Sequence, residues 1–395
     1  MQQKLMRKMA VFTSVFTIFT FSIVLAFVMN KDIFVNAQVS TSGKSAYSDS
    51  KATASDQTIQ NELNSQEMVS SDTLTYNAIK IKSNNMTKQE VVLNLGENSK
   101  TSLVIDKNVD IDQVYTEHNV IITLKGISLS SDQLSVETDA DTDLESADST
   151  YDGKNTLVKL TFSKIKQVET DTGKNCLKLT CNNPRDLYDK IVVIDVGHGG
   201  TDIGNKSIYE GEIYCEKDIA LAVAKALYNR KEVQTEMVGT GGLTGTKESV
   251  GFFFTRLTDT EISDEKRVNM AKELSADLLI GIQTSYAEDA ALNGTQVLYN
   301  GQYFIPGFGS VELADILERD TVTKICSKAI GLVASNDEDY LLRNATMPVA
   351  VLQIGYQSNQ EELIKMLNPD YCELVADGIY STVLDSFESA GTIQN

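Results

Sequence analysis

The rhythm of hydrophobic and polar positions changes four times along the chain. Ala10–Met29 carries no charge, and a helix of that length spans about 30 Å, the thickness of a bilayer core. Gln38–Ser71 is rich in Ser, Thr, Gln, Asn and Asp and reads as a disordered linker. From Leu74 to about Cys181 the period is two. Strands are expected at Tyr76–Ile81, Glu90–Leu95, Ser102–Ile105, Val120–Leu124, Leu157–Phe162 and Cys176–Leu179, with no helical period between them. After Pro184-Arg185-Asp186, apolar runs alternate with helical stripes. Strands are expected at Ile191–Asp195, Phe252–Arg256, Asp277–Gln283, Thr295–Tyr299 and Val349–Ile354. Helices are expected at Glu216–Arg230, from Asp264 to about Leu274 behind an N-capping Ser263, at Val311–Ile330 and at Glu373–Phe387. The pattern predicts an α/β C-terminal domain with an N-terminal all-β, sandwich-like domain and an N-terminal apolar export or anchor helix. The expected boundaries are 1–37, 38–71, 72–183 and 186–395.

Met1–Lys8 is basic, so the N-terminus should stay inside while the rest of the chain lies outside the membrane. Val35-Asn36-Ala37 is a small-residue cleavage site, and an uncleaved anchor over 10–29 is the other reading. The net charge is −20. The first 37 residues contribute +3, which leaves −23 on the remainder. Such a body repels nucleic acid, and membrane contact is expected only through the N-terminal helix. Five scattered cysteines do not make a disulfide framework. Cys176 and Cys181, five apart, fall on opposite faces of a strand. The acidic run Thr138–Asp152 reads as a solvated loop. A calcium site is the alternative, disfavoured because Leu144 stands where an EF-hand needs Gly.

Candidate chemistry gathers at Val196–Gly200, where a buried strand ends in a Gly-flanked imidazole, His198. The other histidine, His118, lies in a polar turn and reads as solvated surface. Glu216 opens the next helix, where an acid suits the helix dipole. Arg256 and Arg267 read either as structural partners of Asp259 and other acids or as substrate contacts. Cys215, beside Glu216, points about 100° away from it on a helix.

Four ordered segments, GHGGTDIG at 197–204, EKDIAL at 216–221, FTRLTD at 254–259 with Arg267, and MPVAVLQIGYQSN at 347–359, resemble the zinc-dependent N-acetylmuramoyl-L-alanine amidases of the type-3 family. The resemblance covers about Ile191 to Phe387. The β-rich segment before it sits where many such enzymes carry a wall-targeting AMIN-type module. The resemblance implies cleavage of the amide between N-acetylmuramic acid and L-alanine in peptidoglycan. It implies a zinc ion on two His and one Glu, and a Glu as general base. His198 and Glu216 fall on the first two metal positions, and Arg256, Arg267 and Asn359 on substrate-binding positions. Gln283 stands at the third-ligand position and Gln353 at the general-base position.

A carboxamide is a poor zinc ligand beside an imidazole, and Gln353 cannot take a proton from water. Zinc is therefore expected to be weak or absent here, with no intact catalytic residue. The expectation is an exported cell-wall protein that binds peptidoglycan stem peptide or a cell-wall enzyme. An active amidase with an altered metal site is the alternative.

Overall fold

The computed structural model describes residues 79–83, 88–94, 107–126, 134–136, 143–173, 176–230, 233, 249–301, 305, 307–335 and 339–393. The apolar segment 10–29, the linker 38–71 and the expected strand Ser102–Ile105 lie outside them. Among the described residues no helix is long and apolar enough to cross a membrane. Every described residue lies in one compact unit, Ser70–Asn395.

The first nine strands form two sheets. Strands β1 (Ile79–Ser83), β2 (Lys88–Asn94), β3 (Val109–Val114), β4 (Asn119–Lys125), β5 (Leu134–Val136), β6 (Leu144–Tyr151), β7 (Asn155–Phe162), β8 (Gln167–Gly173) and β9 (Cys176–Asn182) order as β5-β1-β2-β9-β8 and β3-β4-β7-β6. Val120, Ile122, Leu124, Val158, Leu160 and Phe162 of one sheet meet Val168, Leu177, Leu179 and Cys181 of the other in one core. Alternate residues of β4 and β7 are buried, as period two requires. The acidic run corrects the sequence expectation, because Leu144–Tyr151 is an edge strand and not a loop. Its alternation is hard to read because small Ala147 and Ser149 take the half-buried positions between exposed polar residues. Asp152 ends the strand by accepting the N–H groups of Lys154 and Asn155. These two bonds, the backbone one from Asn155 foremost, lower its carboxyl pKa.

A short helix, α1 (Pro184–Leu187), leads into β10 (Lys190–Val196). A hairpin, β11 (Lys206–Tyr209) and β12 (Glu212–Cys215), precedes α2 (Glu216–Tyr228). There follow β13 (Val250–Phe254), α3 (Asp264–Glu273), β14 (Leu278–Ser285), β15 (Thr295–Tyr299), α4 (Ser310–Ile325), β16 (Ala329–Ala334), α5 (Tyr340–Asn344), β17 (Val349–Tyr356), α6 (Gln360–Met366) and α7 (Pro369–Ile393). The six-stranded sheet orders as β13-β10-β14-β17-β15-β16. The first four strands are parallel, β15 runs antiparallel to β17, and β16 runs parallel to β15. Helices α2, α4 and α7 cover one face, through Ile219, Val223, Leu313, Leu317, Val375 and Ile379 against Val192, Ile194, Ile280 and Leu352. Helices α3 and α5 cover part of the other, through Met270, Leu274, Leu341 and Leu342 against Ile191, Val193, Leu279 and Val351. Because both faces are covered, the central strands read as continuous apolar runs.

The sandwich and the α/β half share a core. Tyr115 and Ile165 are buried with Tyr188, Ile191 and Phe253, and the Tyr115 and Phe253 rings meet edge to face at 5.0 Å. Glu273 of α3 accepts the Ile165 N–H at 2.7 Å and lies 2.9 Å from His118 Nε2. Lys266 pairs with Glu117. His118 thus corrects the solvated-turn expectation. It is a half-buried residue at the junction, held at φ 54°.

Candidate functional site

Strands β10, β14 and β17 end side by side, and their carboxyl ends bring the resemblance-carrying residues together, as open parallel sheets do. β10 runs into Gly197 and then into His198, whose φ of 58° is uncommon for a residue with a Cβ. Two buried arginines hold this turn from behind. Arg256 donates to the carbonyls of Val196, Gly197, Thr258 and Lys217 at 2.7–3.1 Å. Arg267 donates to the carbonyls of Val196, His198 and Ile262, and pairs with buried Asp195 at 2.7 Å. Burial, followed by the nearby Arg267 charge, lowers Arg256 to about 10, so it remains a cation at neutral pH.

This geometry displays the structural alternative for both arginines. Their N–H groups are engaged on loop carbonyls and on Asp195, and the expected partner Asp259 pairs instead with Lys217. Asn359 also has a structural task. Its side chain caps α6 by accepting from Glu361 and Glu362, and donates to the Ala290 carbonyl.

His198 stands between two carboxylates. Its Nδ1 lies 2.9 Å from both oxygens of Asp202, and its Nε2 lies 3.2 Å from Glu216 Oε2. The hydrogen bond to Glu216 is the largest cause that raises the imidazole pKa above its ordinary value. Glu216 is only 1% exposed. Burial alone would raise its pKa. Hydrogen bonds from His198 and from the backbone N–H groups of Asn205 and Thr284 outweigh it and hold the carboxyl below its ordinary value. Gly204, at φ 63°, makes room for the pair: a Cβ there would lie 2.6 Å from the His198 ring and 2.7 Å from Glu216 Oε2. Asp202 was legible only as a member of the GHGGTDIG motif, four residues after His198.

Gln283 lies directly opposite Gln353 in the pairing of β14 with β17, and Gln353 lies opposite Gln296 of β15. Opposed residues share a face, so the three carboxamides form one row across three strands. Gln353 Oε1 accepts from Ser285 Oγ at 2.8 Å and from Gln296 Nε2. Gln296 escaped the sequence reading because nothing in a single polar residue of a short strand marks it out. A groove of 770 Å³ is lined by Ser207, Ile208, Tyr286, Gln357 and Asn359, and Gln357 accepts from Thr284 Oγ1.

The residues present do not fit the zinc site that the resemblance implies. A catalytic zinc takes three protein ligands plus a water. His198 Nε2 and Glu216 supply two donors, and the third place belongs to a neutral carboxamide. Asp202 addresses the opposite ring nitrogen and cannot replace it. Cys215 lines a different, largely apolar cavity with Ile219, Ala222 and Met366.

Residues 192–385 match the family model for N-acetylmuramoyl-L-alanine amidase and belong to that family. A germination-specific N-acetylmuramoyl-L-alanine amidase of Bacillus subtilis is 26% identical over 224 residues, which cover 52% of this chain and 83% of that protein. An uncharacterized cell wall amidase of Bacillus anthracis is 29% identical over 225 residues, 55% of this chain but 39% of the relative's length. The solved N-acetylmuramoyl-L-alanine amidase of Clostridium difficile 630 is 29% identical, covering 51% of this chain and 97% of that one, with a TM-score of 0.43.

Proposed function

We propose, from the membership of residues 192–385 in the N-acetylmuramoyl-L-alanine amidase family, that this is an exported cell-wall protein that binds in the amidase cleft without hydrolysis. Its ligand is peptidoglycan stem peptide, or a cell-wall enzyme that presents an equivalent surface. The observation that carries this reading is the pairing of Gln283 with Gln353 at the strand ends where the family places a zinc ligand and a general base. Loss of a general base alone costs about 10²–10⁴ in rate, and loss of a metal ligand compounds it. Glutamine is nearly isosteric with glutamate, so the cleft keeps its shape while it loses its chemistry.

Support for cleft retention comes from the bracing of the His198 turn by Arg256 and Arg267. Export is supported by the uncharged stretch Ala10–Met29 and the basic residues before it. The sandwich serves in this reading as an AMIN-like wall-targeting module. The test is co-sedimentation of the full chain with purified peptidoglycan, scored together with soluble peptide release. Retention on the polymer with no release is expected, and a chain that binds neither the polymer nor a cell-wall enzyme would refute the reading.

A further inference from the structure

We propose that the cavity between α2 and the α6–α7 corner is a second ligand site, and that it takes an ammonium group carried on a short apolar stem. The inference stands independently of the cleft-binding reading.

The sequence opens this cavity from both sides. On α2, Asp218, Ala222 and Ala226 recur every four residues and lie along one stripe of the helix. Both alanines end in a methyl group. The facing chain leaves α6 at Leu367 and re-enters a helix at Pro369, so it presents a corner and not a continuous ridge. The space between them is 320 Å³, which falls in the range of small-molecule sites, about 300–1,000 Å³. Its lining is graded. Ile219, Met366 and Cys372 are buried, whereas Asp218, Ala222 and Glu373 are exposed and mark the mouth. The cavity is separate from the strand-end cleft: Glu216 turns to His198, and Cys215, the residue before it, lines the cavity.

The polar groups of the lining name the ligand. The Cys372 thiol already donates to the Met366 carbonyl, with Sγ and oxygen 3.4 Å apart. The charged side chains of the lining are both acids, Asp218 and Glu373, and neither makes a hydrogen bond or ion pair among the described residues. Among those residues no cation lines the cavity. Lys217 and Arg256 feel the Asp218 charge, but both are engaged on the His198 loop. Lys217 holds Asp259 and the Gly200 carbonyl, and Arg256 holds the carbonyls of Val196 and Gly197. Ionised carboxylates accept and do not donate. The matching ligand therefore brings N–H donors with positive charge for the mouth and an apolar body for the walls. Its ammonium stays partly hydrated while the stem leaves water, as lysine side chains do along apolar surfaces. Burial of the stem supplies affinity, and the two carboxylates supply selection. An anionic ligand of the same shape meets two like charges.

The test titrates the full chain, in low-salt buffer at neutral pH, with 2-phenylethylamine, 2-phenylethanol and phenylacetate, which share a shape and differ in charge. Alkylation of Cys215 by N-ethylmaleimide, read by peptide mass spectrometry, locates the bound probe, with exposed Cys326 as the internal reference. The amine is expected to bind about fivefold more tightly than the alcohol and about tenfold more tightly than the acid. At saturation it should slow alkylation of Cys215 and leave Cys326 unchanged. Asp218→Asn combined with Glu373→Gln should bring amine and alcohol within about twofold of each other. Ala222→Leu should fill the mouth and remove binding of the amine. All three positions are exposed, so these variants keep the fold, which circular dichroism checks. No binding of the amine to wild type, equal binding of the three probes, a Cys215 thiol that the amine does not protect, or an amine preference that survives in the double variant would each overturn the site.

Discussion

Gln283 and Gln353 lie directly opposite each other across neighbouring parallel strands, at the positions that the resemblance assigns to a zinc ligand and a general base. In the proposed reading, two neutral amides in register replace the two groups on which metal-assisted amide hydrolysis depends. The rest of the cleft is built as though it still mattered: two buried arginines clasp three successive carbonyls of the His198 turn.

If the site lacks only these groups, returning them should restore function in steps. Gln283→His should create zinc binding, seen as thermal stabilisation worth about 2.7 kcal/mol when zinc is 100-fold above its Kd. Wild type should gain far less from zinc. Adding Gln353→Glu should then raise amide hydrolysis by about 10²–10⁴ over the single variant. A double variant that binds zinc but releases no peptide would place the defect elsewhere in the cleft.

The pH dependence of stability follows from the His198–Glu216 pair. The folded imidazole pKa is raised, so its contribution is complete below the unfolded value of about 6.5 and fades as pH rises through the folded value. The Glu216 pKa is lowered, so its contribution is complete above about 4.3 and is lost as pH falls through the folded value. The Tm advantage of wild type over His198→Gln should therefore be greatest near about pH 5–6 and shrink above pH 7. A difference that grows with rising pH would contradict the pairing.

Arg267→Met should act on stability before it acts on binding. It leaves Asp195 buried without its cation, a change of about 3–5 kcal/mol. Chemical denaturation measures the loss. A variant with wild-type stability and abolished ligand binding would return Arg267 to the substrate side.

The two halves should unfold together. Tyr115→Ala removes a buried ring from the shared core and should cost about 3 kcal/mol in a single transition of the whole Ser70–Asn395 unit. Separate transitions for sandwich and α/β half, with only the first affected, would show that the junction is weak.

Much of this architecture was legible because its physics is local. Central strands such as Ile191–Val196 announce themselves by continuous apolar runs, and Ser263 announces the start of α3 through its cap. Elements without a strong pattern were not legible: β6 with its small half-buried residues, the hairpin β11–β12, and β16, whose first two residues fell inside the expected helix Val311–Ile330. The junction was not legible at all, since His118 and Glu273 are 155 positions apart and only folding brings them to 2.9 Å. The same holds for the site. The order of the motifs gave His198, Glu216, Gln283 and Gln353, but the Gln296 contact and the Arg267–Asp195 pair depend on strand register and on helix docking.

The most direct test incubates the full folded chain with excess zinc and intact peptidoglycan and measures newly freed L-alanine amino groups, with His198→Ala in parallel. The account predicts no release above the His198→Ala control. Zinc-dependent release that His198→Ala abolishes would contradict it and would require a proton acceptor other than Gln353.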